Sequence, residues 1–298
     1  MSQLLHPLYR TSYSTHNTRA AMYKTLSSAV NWPQGLPEPG TTTVVCGDIE
    51  ADGSVVVPHF IQSALQETTP GGATTTVVVL VSLTQTMSHY MHVMRKMGVN
   101  LARHSGRFQF VDALTPATVA LELAGNGLVA AATRPHFAVP DRADWSGFFR
   151  WLAHAQPPGC TVVVDGLCSL LDQGLGCDFA VGFVDTCRRI IEAKAAQGAG
   201  AARLVATLFL DDFSEALARS LVRRSHYVLS FEALASGSST EVAGQLTVVP
   251  GHLFCHIQKK EKEEEKQSAA EFKPALLHYR VSDTTVEFFS PGQSRMVL

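Results

Sequence analysis

The stretch "VVCGDIEADGSVVV", Val44 to Val57, decides how the rest of the chain is read. A β-branched apolar run enters it, two glycines bracket its middle, and a second apolar run leaves it. A strand that turns through glycine into a helix is the shape that cradles nucleotide phosphates in many α/β proteins. A working loop of this kind reads G-x-x-x-x-G-K-[ST]. Its backbone N–H groups hold the phosphates, its lysine reaches the outer ones, and its hydroxyl residue holds magnesium. Here Gly47 and Gly53 enclose five residues rather than four, and Ser54 follows Gly53 directly, so the lysine position is missing. Asp48, Glu50 and Asp52 stand in the loop instead. Two like charges about 4 Å apart repel by about 4 kcal/mol at an effective dielectric near ~20, so this lining opposes a triphosphate. The expectation is geometric: the loop keeps a strand-to-helix bend, Asp52 or Ser54 caps the helix, and no nucleotide binds.

Outward from the loop, strands and helices alternate. "TTTVVC" predicts a strand before it and "VVVPHFIQSALQE" a helix after it, with Pro58 in the tolerant first turn. "TTTVVVLVSL", Thr74 to Leu83, is the unbroken β-branched run of a strand covered on both faces. In "TQTMSHYMHVMRKMGVN" the side chains of Met87, Tyr90, Met91, Met94 and Met97 share one helical face, read as core, and Gly98 ends the helix. "RFQFVD", "CTVVVDGL" and "ARLVATLFL" predict strands. "WSGFFRWLAHA", "FAVGFVDTCRRIIEAKAA" and "FSEALARSLVRRS" predict helices. The stretch from Thr115 to Pro140 is weakly patterned, part helix and part loop. This alternation implies an α/β fold with a mostly parallel central sheet between two helical layers. The last quarter departs from it: "HYVLSFEAL", "GQLTVVP", "LLHYRV" and "TTVEFF" follow one another without helices, as a C-terminal antiparallel meander. The final two predict a hairpin turning at Ser282 and Asp283, with Val281 opposite Thr284, Tyr279 opposite Val286 and Leu277 opposite Phe288.

Asp165 ends the buried run "CTVVVD", where nucleotidases place a magnesium-binding carboxylate. It is also what any strand leaving a core looks like, and without a partner lysine a metal role is not expected. His89 and His92 are three apart on one helix but no third ligand is signalled, so they read as surface or interface residues. No zinc spacing and no nucleophile elbow appears. No metal, cofactor or catalytic residue is expected.

The chain has 298 residues, 46% hydrophobic and 17% charged, enough to bury a full core. A net charge of -2 gives no bulk attraction to nucleic acid or membrane. The cysteines at 46, 160, 168, 177, 187 and 255 form no C-x-x-C pair, which fits a reducing compartment. The start "MSQLLHPLYR" is not a signal peptide, and a soluble cytoplasmic protein, with the nucleus as a second compartment, is expected. Residues 1–40, ending in "WPQGLPEPG", read as an arm or linker, with a helical turn or two in "MYKTLSSAVNW" docking on the body. Residues 41–298 read as one domain, interrupted by a charged connection at 259–272 that carries "KKEKEEEKQ".

Six segments, in order, resemble the sixth subunit of the Elongator complex: "ADGSVVVPHF", "QTMSHYMHVMRKMGVN", "VVVDGLCSLLDQGLG", "SHYVLSFEALASG", "AGQLTVV" and "YRVSDTTVEFFSPGQSRMVL". The resemblance covers roughly Thr41 to Leu298 and implies a RecA-like fold without working phosphate-loop and magnesium motifs. Gly47, Asp48, Gly53, Ser54 and Asp165 are then the degenerate remains of a nucleotide loop, and the chain is not an enzyme. The family joins the fourth and fifth subunits in a ring of six, two copies of each. That ring is an accessory module of Elongator, whose core subunits modify the wobble uridine of tRNA. The resemblance implies tRNA binding by the assembled ring, which as a whole couples nucleotide hydrolysis to tRNA release, and no membrane contact. Arg95 with Lys96, Arg188 with Arg189, and Arg223 with Arg224 are candidate RNA or subunit contacts, each also readable as an ordinary solvated helix face. Two other readings compete: an active RecA-like NTPase using the irregular loop with Asp165, and a recombinase-type DNA-binding protein. The near-neutral charge weakens the second of these.

Overall fold

The computed structural model describes residues 26–30, 32, 35–67, 76–114, 137–138, 145–197, 202–234, 237, 242–254, 274–282 and 284–292, excepting 283. The weakly patterned stretch, but for 137–138, and the charged connection at 259–272 lie outside the described residues, as does Cys255. The elements in chain order are α1 (Leu26–Val30), β1 (Thr42–Gly47), α2 (Val57–Gln66), β2 (Val77–Ser82), α3 (Met87–Lys96), β3 (Phe108–Asp112), β4 (Phe137–Ala138) and α4 (Ser146–His154). There follow β5 (Cys160–Asp165), α5 (Ser169–Asp172), α6 (Gly176–Ala196), β6 (Arg203–Phe209), α7 (Glu215–Val222), β7 (Tyr227–Glu232), β8 (Gly244–Pro250), β9 (Ala275–Val281) and β10 (Val286–Phe289).

The strands form one sheet in the order β10-β9-β8-β7-β1-β6-β5-β2-β3-β4. From β7 through β4 all pairings are parallel, and from β7 to β10 all are antiparallel. The strand that carries the glycine loop is thus flanked by β6 and β7, and the strand ending in Asp165 lies one place further out. The α/β class, with a mostly parallel sheet and an antiparallel extension, is as the sequence predicts.

The unbroken apolar runs reflect burial on both faces. Val45, Val78, Leu80, Val163 and Val205 point into one core, which α2 and α3 cover. Val44, Cys46, Val79, Val81, Val162, Val164, Leu204 and Ala206 point into the other, under α4, α6 and α7. Alternation within a continuous hydrophobic strand therefore feeds two cores at once. The methionine face of α3 is core as read: Met87, Tyr90 and Met94 are buried, with Met91 and Met97 packed against them. In the meander Leu246, Val248, Leu277, Tyr279, Val286 and Phe288 point into the first core, while Val249 on the other face joins the second.

The terminal hairpin differs from the expected register. Val281 pairs with Val286, Tyr279 with Phe288 and His278 with Phe289. The turn takes four residues, not two, because Ser282 closes it from both sides. Its N–H donates to the Thr285 carbonyl at 2.9 Å, and its Oγ donates to that carbonyl at 2.9 Å and accepts from Thr285 N–H at 3.2 Å. A shift of two residues keeps every side chain on its original face, so the alternation could not reveal it.

The segment before β1 is tied to the body. Leu26, Val30, Trp32 and Leu36 lie in the first core. Tyr227 donates its phenolic hydrogen to Glu38, and Arg203 donates to the Pro37 carbonyl. Arg203 also makes a two-pronged contact with Glu67, at 2.9 and 2.8 Å, in which both side chains are almost fully buried. Thr76 completes the Glu67 carboxylate with a 3.0 Å hydrogen bond.

Candidate functional site

The C-terminal ends of β1, β2, β5 and β6 open on one cavity of about 740 Å³, in the crevice where open α/β sheets receive ligands. Its wall includes Asp48, Asp52, Ser54, Asp165 and Gly166, so the folded chain brings the glycine loop and Asp165 to one cavity. His59 of α2, Thr84 and Gln85, His89 and Tyr90 of α3, and Asp172, Thr207 and Asp211 add to its polar lining. No lysine or arginine lines it among the described residues.

The glycine loop is a self-filled cradle. Asp48 Oδ1 accepts from the backbone N–H groups of Glu50 and Ala51, each at 2.9 Å. Asp52 Oδ1 accepts from Ser54 N–H at 2.8 Å, and Asp52 Oδ2 from the Ser54 hydroxyl at 2.6 Å. Asp52 thereby caps the 3₁₀ turn Gly53–Val56 that leads into α2. Backbone donors that a phosphate loop presents to its ligand are here taken by carboxylates of the loop itself. The bend is also too tight to admit a side chain at its first glycine: a Cβ on Gly47 would stand 2.3 Å from Gly53 N and 2.5 Å from the Ala51 carbonyl oxygen. The lining carboxylates have a structural use, and the puzzle of a phosphate-loop shape built with negative charge resolves at Asp48.

Asp165 is likewise engaged from within the chain. It is 2% exposed. Thr207 donates to its Oδ1 at 2.7 Å, and Thr84 (at 3.2 Å) and the Tyr90 hydroxyl donate to its Oδ2. Burial raises its pKa above the usual carboxylate value, and the three hydroxyl donors pull it back in part. The Tyr90 hydroxyl is pushed upward as well, first by burial and then by the neighbouring Asp165 charge. Next along, Ser82 Oγ sits 3.2 Å from the Tyr90 oxygen and donates to the Gln85 carbonyl at 2.6 Å. Gly166 follows with φ +81°, and a Cβ there would meet Thr84 Cγ2 at 2.0 Å, so glycine is required at this turn. A carboxylate that already accepts three hydroxyls is poorly placed to hold a cation, and no cluster of metal-ligating side chains occurs among the described residues.

Sequence reasoning found the loop and Asp165 but not their partners. Tyr90 reads as one more core residue of a methionine-rich face. Thr207 is the one signal that was available, a lone hydroxyl inside the apolar run of β6. His59 gave no signal, yet it lines the cavity, is 7% exposed, and its Nε2 has no hydrogen-bond partner among the described residues. The paired bases lie elsewhere. Arg188 bonds Asp185 and Glu192, and Arg224 also reaches Asp185. Arg95, Lys96, Arg189 and Arg223 are exposed on helix ends and faces. His89 and His92 are exposed too, His89 at the cavity wall. The thiols of Cys46 and Cys160 are pushed up to about 12 by burial, so neither is a ready nucleophile.

A family model described as Elongation complex protein 6 matches residues 23–128. Elongator complex protein 6 of Xenopus laevis is 29% identical over 268 residues, covering 87% of this chain and 93% of the relative. By sequence, the chain is similar to Elongator complex protein 6. The human protein of that name is 26% identical over 302 residues, covering 93% of this chain and 100% of its own length. These relatives are named as a subunit of a complex, not for a reaction. Among solved structures, an uncharacterized protein of Pyrococcus horikoshii, crystallised with an unknown peptide, matches at 10% identity with a TM-score of 0.49, covering 85% of this chain and 93% of that one. No helix among the described residues is long and apolar enough to cross a membrane.

Proposed function

We propose that the chain is a non-catalytic subunit of Elongator. In this reading it stands with the fourth and fifth subunits in an accessory ring of six and contributes by assembly to tRNA wobble-uridine modification. The tRNA is bound by the assembled ring in the cytoplasm, and the chemistry belongs to the core subunits. The similarity to Elongator complex protein 6 along most of the chain supports the membership. The observation that carries the non-catalytic part is Asp48: its carboxylate occupies the Glu50 and Ala51 N–H groups that a triphosphate would need, in a cavity lined, among the described residues, by five aspartates and no lysine or arginine. In a head-to-tail ring each subunit presents two different faces. The exposed side chains of Ile49, Phe209 and Val281, at or just past the ends of β1, β6 and β9, line the same cavity and suit one such face. Co-expression with the two sibling subunits, followed by size-exclusion chromatography with light scattering, tests the reading. A particle of six chains is expected, and a lone monomer in that mixture would overturn it.

A further inference from the structure

Charge is spread unevenly along the chain. Between Glu67 and Asp112 the sequence carries no aspartate or glutamate, yet it holds Arg95, Lys96, Arg103 and Arg107. Arg107 is tied down, its Nη2 donating to the Leu65 carbonyl at 2.9 Å. Arg95, Lys96 and Arg103 are exposed. Five arginines elsewhere, Arg188, Arg203, Arg219, Arg224 and Arg280, each hold a carboxylate. No ion pair among the described residues includes Arg95, Lys96 or Arg103. Local structure sets the three on one surface. His92, Arg95 and Lys96 stand at i, i+3 and i+4 on α3, so they are neighbours on its outer face. Gly98, with φ +81°, ends the helix. Val99 N–H then donates to the Met94 carbonyl at 2.8 Å, and the 3₁₀ turn Leu101–His104 packs against α3, which brings Arg103 beside the helix end. A helix C-terminus favours a cation, but that is no reason to gather three that repel one another without a carboxylate between them.

We propose that Arg95, Lys96 and Arg103, with His92 beside them, are the surface through which this chain holds the phosphate backbone of RNA. This rests on the reading of the ring as a binder of tRNA and names where this subunit takes part. The make-up of the patch favours a nucleic acid over a protein. A protein interface centres on apolar or aromatic anchors, and the large exposed apolar side chains among the described residues, Ile49, Phe209, Phe213 and Val281, all lie outside this stretch. The exposed positions among the cations are Gly98, Asn100, Ala102, Ser105 and Gly106, small or polar throughout, so a sugar–phosphate chain can approach closely. Cations and polar groups without apolar anchors are what a phosphate backbone requires. The imidazole of His92 has an N–H to donate to a phosphate oxygen. The same helix turns His89, Val93 and Met97 to the cavity lined by aspartates. That lining repels a phosphate chain and keeps it on the outer face of α3. Contacts of this kind set position and affinity and carry no sequence preference.

The test has two arms. In the first, the assembly purified with its sibling subunits is titrated with fluorescently labelled tRNA at several salt concentrations. Arg95→Gln, Lys96→Gln and Arg103→Gln together should weaken binding about tenfold at low salt and lower the slope of log Kd against log salt by about 2 to 3. Arg103→Gln alone should lower that slope by about 1. Arg150→Gln removes an exposed arginine of α4, under the opposite face of the sheet, and should leave the slope unchanged. Arg95→Lys with Arg103→Lys keeps the charge and should keep the slope. An unchanged slope in the triple variant, or an equal fall from Arg150→Gln, would overturn the site. In the second arm, a photo-crosslinking phenylalanine replaces the exposed Ala102 in the same assembly. A cross-link to tRNA is expected, and a cross-link to a protein, or to nothing, overturns the proposal. If no assembly forms, or it forms without binding tRNA, the reading of the ring falls. The full-length chain alone then judges the site at low salt: weak tRNA binding that Arg103→Gln reduces sustains it, and no binding overturns it. If the assembly binds tRNA and the variants bind alike, the site alone falls.

Discussion

Thr207 and Asp165, on neighbouring parallel strands, are joined by a 2.7 Å hydrogen bond from hydroxyl to carboxylate, one step beyond the last register pair of Val164 with Ala206. The same threonine oxygen accepts from Gly166 N–H at 2.8 Å. A residue standing where a magnesium ligand would stand is therefore part of the scaffold.

Replacing Asp165 should read out as lost stability and not as lost nucleotide binding. Asp165→Ala leaves the Thr207 and Tyr90 hydroxyls without their acceptor, and each orphaned group costs about 1–3 kcal/mol. Urea denaturation should show the loss, while calorimetry should find no magnesium-dependent ATP binding tighter than about millimolar in either protein, for want of a cationic partner. Micromolar binding that disappears in Asp165→Ala would restore the NTPase reading.

The acid limb of the stability profile should carry a His59 component. Its folded pKa of about 4 lies below the usual 6.5, so the neutral ring is favoured in the folded state. That contribution is fully present above pH 6.5 and is lost as pH falls from there through about 4. The gap corresponds to roughly 3 kcal/mol. His226 is lowered in the same direction, first by burial, so the comparison is between wild type and His59→Leu. The variant should lose less stability than wild type over that window, and parallel profiles would show that His59 is not the group responsible.

The Glu67–Arg203 pair should behave as a buried ion pair whose halves need each other. Removing one partner, as in Arg203→Met, leaves an uncompensated buried carboxylate and should cost about 3–5 kcal/mol. The double variant Glu67→Leu with Arg203→Met should recover part of that loss. Additive losses in the two single variants and the double would show that the contact contributes little.

Two glycine substitutions should separate tight backbone from open surface. Gly47→Ala forces a Cβ against backbone atoms of the loop and should destabilise by about 1–3 kcal/mol or more. Gly106→Ala meets nothing within 4 Å and should fall within about half a kcal/mol of wild type. Equal thermal midpoints for both variants would mean that the bend opens freely.

The sheet was legible because strands buried on two faces must be apolar along their middle, as the runs at 77–81 and 162–164 are. The missing lysine was legible because a phosphate loop fixes its spacing. What escaped is set in three dimensions. Asp165 takes its partners from positions 75 residues before it and 42 after it. The turning of Asp48 back onto its own loop depends on backbone direction, which composition does not encode. The hairpin register slipped because a serine that closes a four-residue turn looks, in sequence, like one that closes a two-residue turn.

Asp48 has one further consequence. A loop whose backbone donors are met by its own aspartates carries its own anion, so its bend needs no bound ligand to hold it. Its shape is then independent of the nucleotide around it.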